Sequence, residues 1–138
     1  MKKTLRRLMK LNSWRLDEAS LIIQKLNFEE MQLNHAAEEL ESFAQREMKI
    51  FDKTIELHPI VPQFLKNITL RKQIIDKRRQ EIERERSEIW EKLQEIYSKK
   101  KKLEQVIHKI DAEDQRKQSA AEQKIMDELA LRQNRLRD

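Results

Sequence analysis

The stretch from Val61 to Ile110 reads VPQFLKNITLRKQIIDKRRQEIERERSEIWEKLQEIYSKKKKLEQVIHKI, and one apolar residue returns in it at every seventh position: Val61, Ile68, Ile75, Ile82, Ile89, Ile96, Leu103 and Ile110. A helix with 3.6 residues per turn drifts slowly against a seven-residue repeat. Such a row stays in contact only where two helices wind around each other with a left-handed supercoil. The period therefore predicts a long helix in a coiled coil, and the same chain has to be searched for its partner.

Upstream, from about Leu5, the apolar positions Leu5, Leu8, Ala19, Ile22, Leu26, Leu33, Ala36, Leu40, Phe43 and Ile50 fit alternating steps of three and four. Asn12, Arg15, Glu29 and Glu47 fall in the same seam and weaken it. Neither proline nor glycine precedes His58, so one helix is predicted over residues 4–57, roughly 80 Å long at 1.5 Å per residue. At His58-Pro59-Ile60-Val61-Pro62 each proline disfavours helix in the residue before it and removes an N–H donor. This predicts a turn at 58–61. Pro62 suits the first position of a second helix, which then runs over 62–136 for roughly 110 Å.

A short turn between two seamed helices predicts an all-α chain, a single unit over 1–138 in which two long helices form an antiparallel coiled-coil hairpin. Folding at residues 60 to 61 pairs positions whose numbers add to about 122, which sets Ile82 beside Leu40, Ile89 beside Leu33, Ile96 beside Leu26 and Leu103 beside Ala19. Nearer the turn Ile75 meets Glu47 and Ile68 meets Thr54, so that end is expected to be loosely packed or occupied by a partner. The polar row Lys72, Arg79, Arg86 and Lys100 beside the ruler is expected to add little. At the far end Leu5 falls near Lys117, and residues 117–138 project alone. They carry Ala121, Ile125, Leu129, Arg132 and Leu136 at helical spacing, an apolar and basic stripe without an intramolecular partner.

Composition narrows the function. Of 138 residues, 40% are charged and 38% apolar, with no glycine, no cysteine and two prolines. Apolar residues spread along lines cannot close over a compact core, so a globular enzyme is not expected. Without cysteine there is neither a disulfide framework nor a thiolate metal site, as suits a reducing cytosolic compartment. His35, His58 and His108 stand singly, outside any metal-ligand spacing. The lack of glycine removes phosphate-cradling loops, and no cofactor is expected. Carboxylates interleave with bases, as in Glu81-Ile82-Glu83-Arg84-Glu85-Arg86, which is the pattern of a solvated ion-pair face.

The run Lys99-Lys100-Lys101-Lys102 has Glu91, Glu95 and Glu104 as helical neighbours and also reads as a solvated face. Trp14, Trp90 and Tyr97 lie too far apart to form a base-stacking platform. Arg6, Arg7 and Lys10 interrupt the apolar runs at the start, so no signal segment is expected, and no stretch approaches the roughly 18 apolar residues that cross a bilayer. The formal net charge is +5, with bases crowded between Lys2 and Arg15 and again from Arg132 to Arg137. A hairpin brings the first group beside the start of the projecting stretch. The resulting tip is basic and partly apolar, suited to an acidic or ring-shaped protein socket and equally to a polyanion.

Two segments and the overall plan carry a family resemblance: Leu5-Arg6-Arg7-Leu8 through Trp14-Arg15-Leu16-Asp17-Glu18, the two-helix plan with its turn near the first third, and the closing Lys124-Ile125-Met126-Asp127-Glu128-Leu129-Ala130-Leu131-Arg132. Together they resemble FliJ-type flagellar export proteins. The resemblance implies a soluble, non-enzymatic component of the bacterial flagellar type III export apparatus, cytoplasmic and peripherally associated with the inner membrane through that apparatus. Its antiparallel coiled coil would be similar to the central stalk of rotary ATP synthases. It implies that the tip, with Leu5, Leu8, Ala121, Ile125, Asp127, Glu128, Leu129, Arg132 and Leu136, contacts the pore of a hexameric export ATPase. It implies further that Phe64, Ile68, Arg71 and Ile75 contact the cytoplasmic domain of the export gate, and that export chaperones are partners through residues it does not specify. The hairpin is expected to be a monomer that binds no nucleic acid. Two alternatives stay open: a generic scaffold coiled coil that dimerises through the weak seams, and a basic helical nucleic-acid binder.

Overall fold

A computed structural model describes residues 2–137, and they form an all-α chain of two long helices. Helix α1 spans Lys2–Lys53, a 3-10 helix spans Ile55–Ile60, and helix α2 spans Val61–Arg137. Met1 and Asp138, which the predicted unit included, lie outside the described residues.

Helix α1 stops four residues before the predicted end at residue 57, at a point where the local sequence offers no breaker. Thr54 takes an extended conformation, with φ −124° and ψ 93°. What ends the helix is provided from further along the chain. The Phe51 carbonyl accepts the Thr54 N–H at 3.3 Å and the His58 Nε2–H at 2.8 Å, so a carbonyl that would otherwise continue the helical ladder is satisfied by the turn. The Phe51 ring meets Phe64 of α2 edge-on, with centroids 5.0 Å apart, a favoured aromatic geometry that requires the chain to reverse directly after Phe51. Pro59 lies inside the 3-10 helix, and Pro62 falls in the first turn of α2, where its missing N–H leaves no ladder bond unmade.

The chain divides into two compact units, one of Met1–Arg15 with Ile96–Asp138 and one of Leu16–Glu95. Within Leu16–Glu95 the cross-helix contacts join Phe51 and Phe43 to Phe64, Glu41 to Lys72, Glu29 to Arg78, and Glu30 and Asn27 to Arg86. Residue numbers fall along α1 as they rise along α2, the order of two helices that run in opposite directions. In the other unit Lys2 Nζ lies 2.9 Å from Asp111 and 2.6 Å from Asp114.

These pairs correct the predicted register by more than one heptad. With the turn moved back to Thr54, Ile68 packs with Leu40 and Ala44, and Phe64 and Ile75 close around that cluster. The layers expected to be loose, Ile75 on Glu47 and Ile68 on Thr54, are therefore not formed. This end holds a continuous apolar core instead.

All eight residues of the α2 ruler are buried or half-buried, and Ile82 has no exposed surface at all. In α1 the column Leu5, Asn12, Ala19, Leu26, Leu33, Leu40 and Glu47 also turns inward. Its companion column lies one position later than predicted. Met9, Leu16, Ile23, Ala37, Ala44 and Phe51 are covered, while Leu8, Arg15, Ile22, Ala36, Phe43 and Ile50 are exposed. A step of four from the first column, rather than three, selects the true seam.

Of the polar row Lys72, Arg79, Arg86 and Lys100, only Lys72 and Arg86 pair across the helices among the described residues, and the forked pair comes from Arg78, outside that row. Arg78 grips Glu29 with two parallel bonds, Nε to Oε1 at 2.6 Å and Nη2 to Oε2 at 2.8 Å, and its Nη1 reaches Glu81 at 3.3 Å and Glu85 at 3.2 Å. Arg86 donates to Glu30 at 2.7 Å and to the Asn27 side chain at 2.8 Å. Lys72 meets Glu41 at 2.6 Å. The forked Arg78–Glu29 pair is the geometry in which an ion pair best fixes position. Together these pairs bring specific residues of α1 opposite specific residues of α2, a selectivity that the purely apolar ruler lacks.

The same pairs set a pH dependence. Hydrogen bonds from Arg78, Lys72 and Lys2 hold the Glu29, Glu41 and Asp111 carboxyls below their ordinary range. A carboxyl with a depressed folded pKa contributes stability that is present above its unfolded value and is lost as pH falls through the folded one. The helix pair should then melt at a lower temperature at pH 3 than at pH 7. The difference should shrink in Glu29→Gln and at high salt, because the groups are solvent-accessible and screened. Circular dichroism melts at the two pH values check this, and an unchanged difference in Glu29→Gln would remove Glu29 as a contributor.

Candidate functional site

The residues that the resemblance assigned to partner contacts fall on two surfaces, one in each unit. In the unit of Met1–Arg15 with Ile96–Asp138, every described residue of α2 from Ala112 onward is exposed. The open stretch thus begins five residues before the predicted position 117, as follows from the register that joins Lys2 to Asp111 and Asp114. It is continuous helix to Arg137. Ala121, Ile125, Leu129, Arg132 and Leu136 fall on one line along it by their spacing of three and four, with Ile125 at 58% exposure and Leu129 at 50%. Met126 and Leu131, also exposed, lie to either side of this stripe. Asp127 accepts a hydrogen bond from Gln123 one turn earlier at 3.2 Å, and Glu128 is exposed.

Leu5 and Leu8 do not join this stripe. They follow Lys2 along α1 on the side of Asp111 away from residues 121–136, with Leu5 half-buried in the seam and Leu8 exposed. The nine residues that the resemblance assigned to the tip are therefore divided. Seven lie on the open part of α2, and two lie where α1 is already packed.

In the unit of Leu16–Glu95, the four residues assigned to an export-gate contact are split as well. Ile68 is buried, Phe64 and Ile75 pack against the Leu40–Ala44–Ile68 cluster, and Phe64 also touches Phe43, with ring centroids 6.0 Å apart. Only Arg71 is exposed. The apolar side chains open to solvent on this part of α2 are Leu65, Leu70 and Ile74; Leu70 and Ile74 lie side by side next to Arg71, and none of the three was identified from the sequence. Their signal was present: they lie off the seven-residue ruler, so the seam gives no reason for them to be apolar.

Among the described residues no three His, Asp or Glu side chains gather in a metal-holding group, and no helix is long and apolar enough to cross a membrane. The surface recess formed by Lys109, Ala112, Glu113 and Arg116 is open and lined mainly by charged side chains. What both units offer is convex helical surface, which binds by lying against or inside a partner. In comparison with known proteins, the chain matches no family model, no curated protein and no solved structure.

Proposed function

We propose that this chain is a non-enzymatic, stalk-like adaptor of a hexameric type III export ATPase, of the kind the FliJ-type resemblance implies. The observation that carries the reading is the stretch of α2 from Ala112 to Arg137, continuous helix in which every residue is exposed and, among the described residues, only Asp114 bonds to α1, through Lys2. A bare helix with an apolar line and Arg132, Arg135 and Arg137 near its end suits the pore of a ring with acidic and apolar lining. One helix cannot touch six identical subunits alike. Each subunit's conformational equilibrium is then biased according to the face of the helix it meets.

The Leu16–Glu95 unit would face the rest of the apparatus. Arg71 with its neighbours Leu70 and Ile74 is the surface through which it would meet the cytoplasmic domain of the export gate. Export chaperones are further partners in this reading. It places the chain in the cytoplasm, peripherally associated with the inner-membrane apparatus.

The test is ATP hydrolysis and ring assembly by a purified hexameric export ATPase, with and without this chain. The expected result is a higher rate and a larger assembled fraction with the chain, both lost in the double variant Ile125→Asp, Leu129→Asp. Because both side chains are half-exposed or more, that variant should melt as the parent does. An ATPase indifferent to the parent chain overturns the reading.

A further inference from the structure

Helix α1 has a second apolar face in the Leu16–Glu95 unit that its seam does not use. The seam residues there are Ala19, Ile23, Leu26, Leu33, Ala37 and Leu40. Leu21 and Phe28 are seven residues apart, which places them on one line on the opposite side of the helix, and Met31 lies one turn past Phe28 beside that line. They are 55%, 62% and 68% exposed. The back of a solvated coiled-coil helix is where charged residues belong, and in a chain that is 40% charged they are in ample supply. Three bulky apolar side chains on that face add nothing to the helix pair and cost solubility.

The charges around this ridge are unlike those of the chain as a whole. Asp17 and Glu18 bracket one end and Glu38 and Glu39 the other, all exposed; Lys25 and His35 lie between them, and His35 Nε2 is 2.9 Å from Glu39 Oε1. Glu29 and Glu30, the remaining acids of the segment, are turned toward Arg78 and Arg86. In a protein of net charge +5, the ridge is an apolar strip with an acidic cap at each end.

We propose that the ridge Leu21–Phe28–Met31 is a docking surface for a basic amphipathic helix of a partner protein. Its apolar middle would lie on these three side chains and its lysines or arginines would reach the acidic pairs at residues 17–18 and 38–39. The two pairs are about 30 Å apart along the helix at 1.5 Å per residue, so a complementary helix is about 20 residues long with its bases toward both ends. Acidic caps exclude nucleic acid from this face and disfavour an acidic helix. The proposal does not depend on the stalk reading, which uses the open end of α2 and the Arg71 surface of α2, not this face of α1.

The probe is a fluorescently labelled helical peptide of about 20 residues, with leucines at spacings of three and four in its middle and lysines at both ends. Its twin carries glutamates in place of the lysines. Titrated with the full chain at low salt, the lysine peptide should bind at least tenfold more tightly than the glutamate twin, against the sense of the protein's net charge. Phe28→Ser with Met31→Ser should weaken it about tenfold, as should Glu38→Lys with Glu39→Lys, while the melting temperature stays that of the parent because no covered side chain is altered. Raising the salt should weaken the lysine peptide several-fold. Equal binding of both peptides, or binding that survives the Phe28 and Met31 substitutions, overturns the proposal. So does self-association of the parent chain, seen by sedimentation and abolished by Phe28→Ser, because the occupant would then be a second copy. The ATPase assay is independent of these arms, so the two readings fail separately.

Discussion

Ile82→Ala should destabilise the helix pair more than any other alanine replacement in the α2 ruler. Among the described residues Ile82 is the one large side chain with no exposed surface. Removing it deletes buried methyl groups and leaves a void between helices already held against each other by the Arg78–Glu29 and Arg86–Glu30 pairs on either side. Truncations of this kind cost about 2 to 5 kcal/mol, with the larger values where the surroundings do not collapse into the void. Here collapse is resisted, because moving α1 toward the void would strain the forked Arg78 bond. A cost of about 3 kcal/mol is therefore expected, a large share of the stability of a chain with so few buried side chains. The control is Ile125→Ala, at 58% exposure, which should change the urea midpoint hardly at all. Equal midpoints for the two variants would show that the seam is not where the structure places it.

The contrast between Ile82 and Ile125 also separates what the sequence could reveal from what it could not. Both are isoleucines on helical rows, and the seven-residue period correctly identified the row of Ile82 as the inward one along all of Val61 to Ile110. The period is a property of one helix, so it is legible without knowledge of the partner. The two-helix, all-α plan was legible for a similar reason, since prolines and the lack of glycine act locally.

Register was not legible, because it depends on where α1 ends, and nothing near Lys53 or Thr54 marks an end. The bond from His58 to the Phe51 carbonyl and the Phe51–Phe64 contact do so from across the turn. Once the turn was misplaced, every cross-helix layer moved with it. The companion column of α1 failed differently. Leu8, Ile22, Phe43 and Ile50 on one side, and Met9, Leu16, Ile23 and Phe51 on the other, are equally apolar, and only contact with α2 chooses between them. Of the candidate surfaces, the open end of α2 was legible because its stripe outran its partner. Leu70 and Ile74, like Leu21, Phe28 and Met31, were missed because apolar side chains were sought only in seams.

Phe51→Ala is expected to have a comparably large effect with a different distribution along the chain. Phe51 is buried at the end of α1, edge-on to Phe64, and its own carbonyl receives the His58 ring. Loss of a buried phenylalanine costs about 3 to 5 kcal/mol, and this ring also braces the turn that sets the register. In a narrow helix pair each layer supports mainly its neighbours, so the loss should be felt most between the turn and the Leu40–Ala44–Ile68 cluster. Amide hydrogen exchange should therefore accelerate most over residues 44–68 and least beyond Ile82, whereas Ile82→Ala should accelerate exchange on both sides of residue 82. His58→Ala removes the hydrogen bond while keeping the ring contact, and it should reproduce only the fraying of the last turn of α1, at about 1 kcal/mol. The aromatic bracket holds the turn in place if Phe51→Ala loosens this end well beyond His58→Ala. If the two substitutions prove equal, the carbonyl clasp alone ends α1, and the register is set by the ion pairs further along.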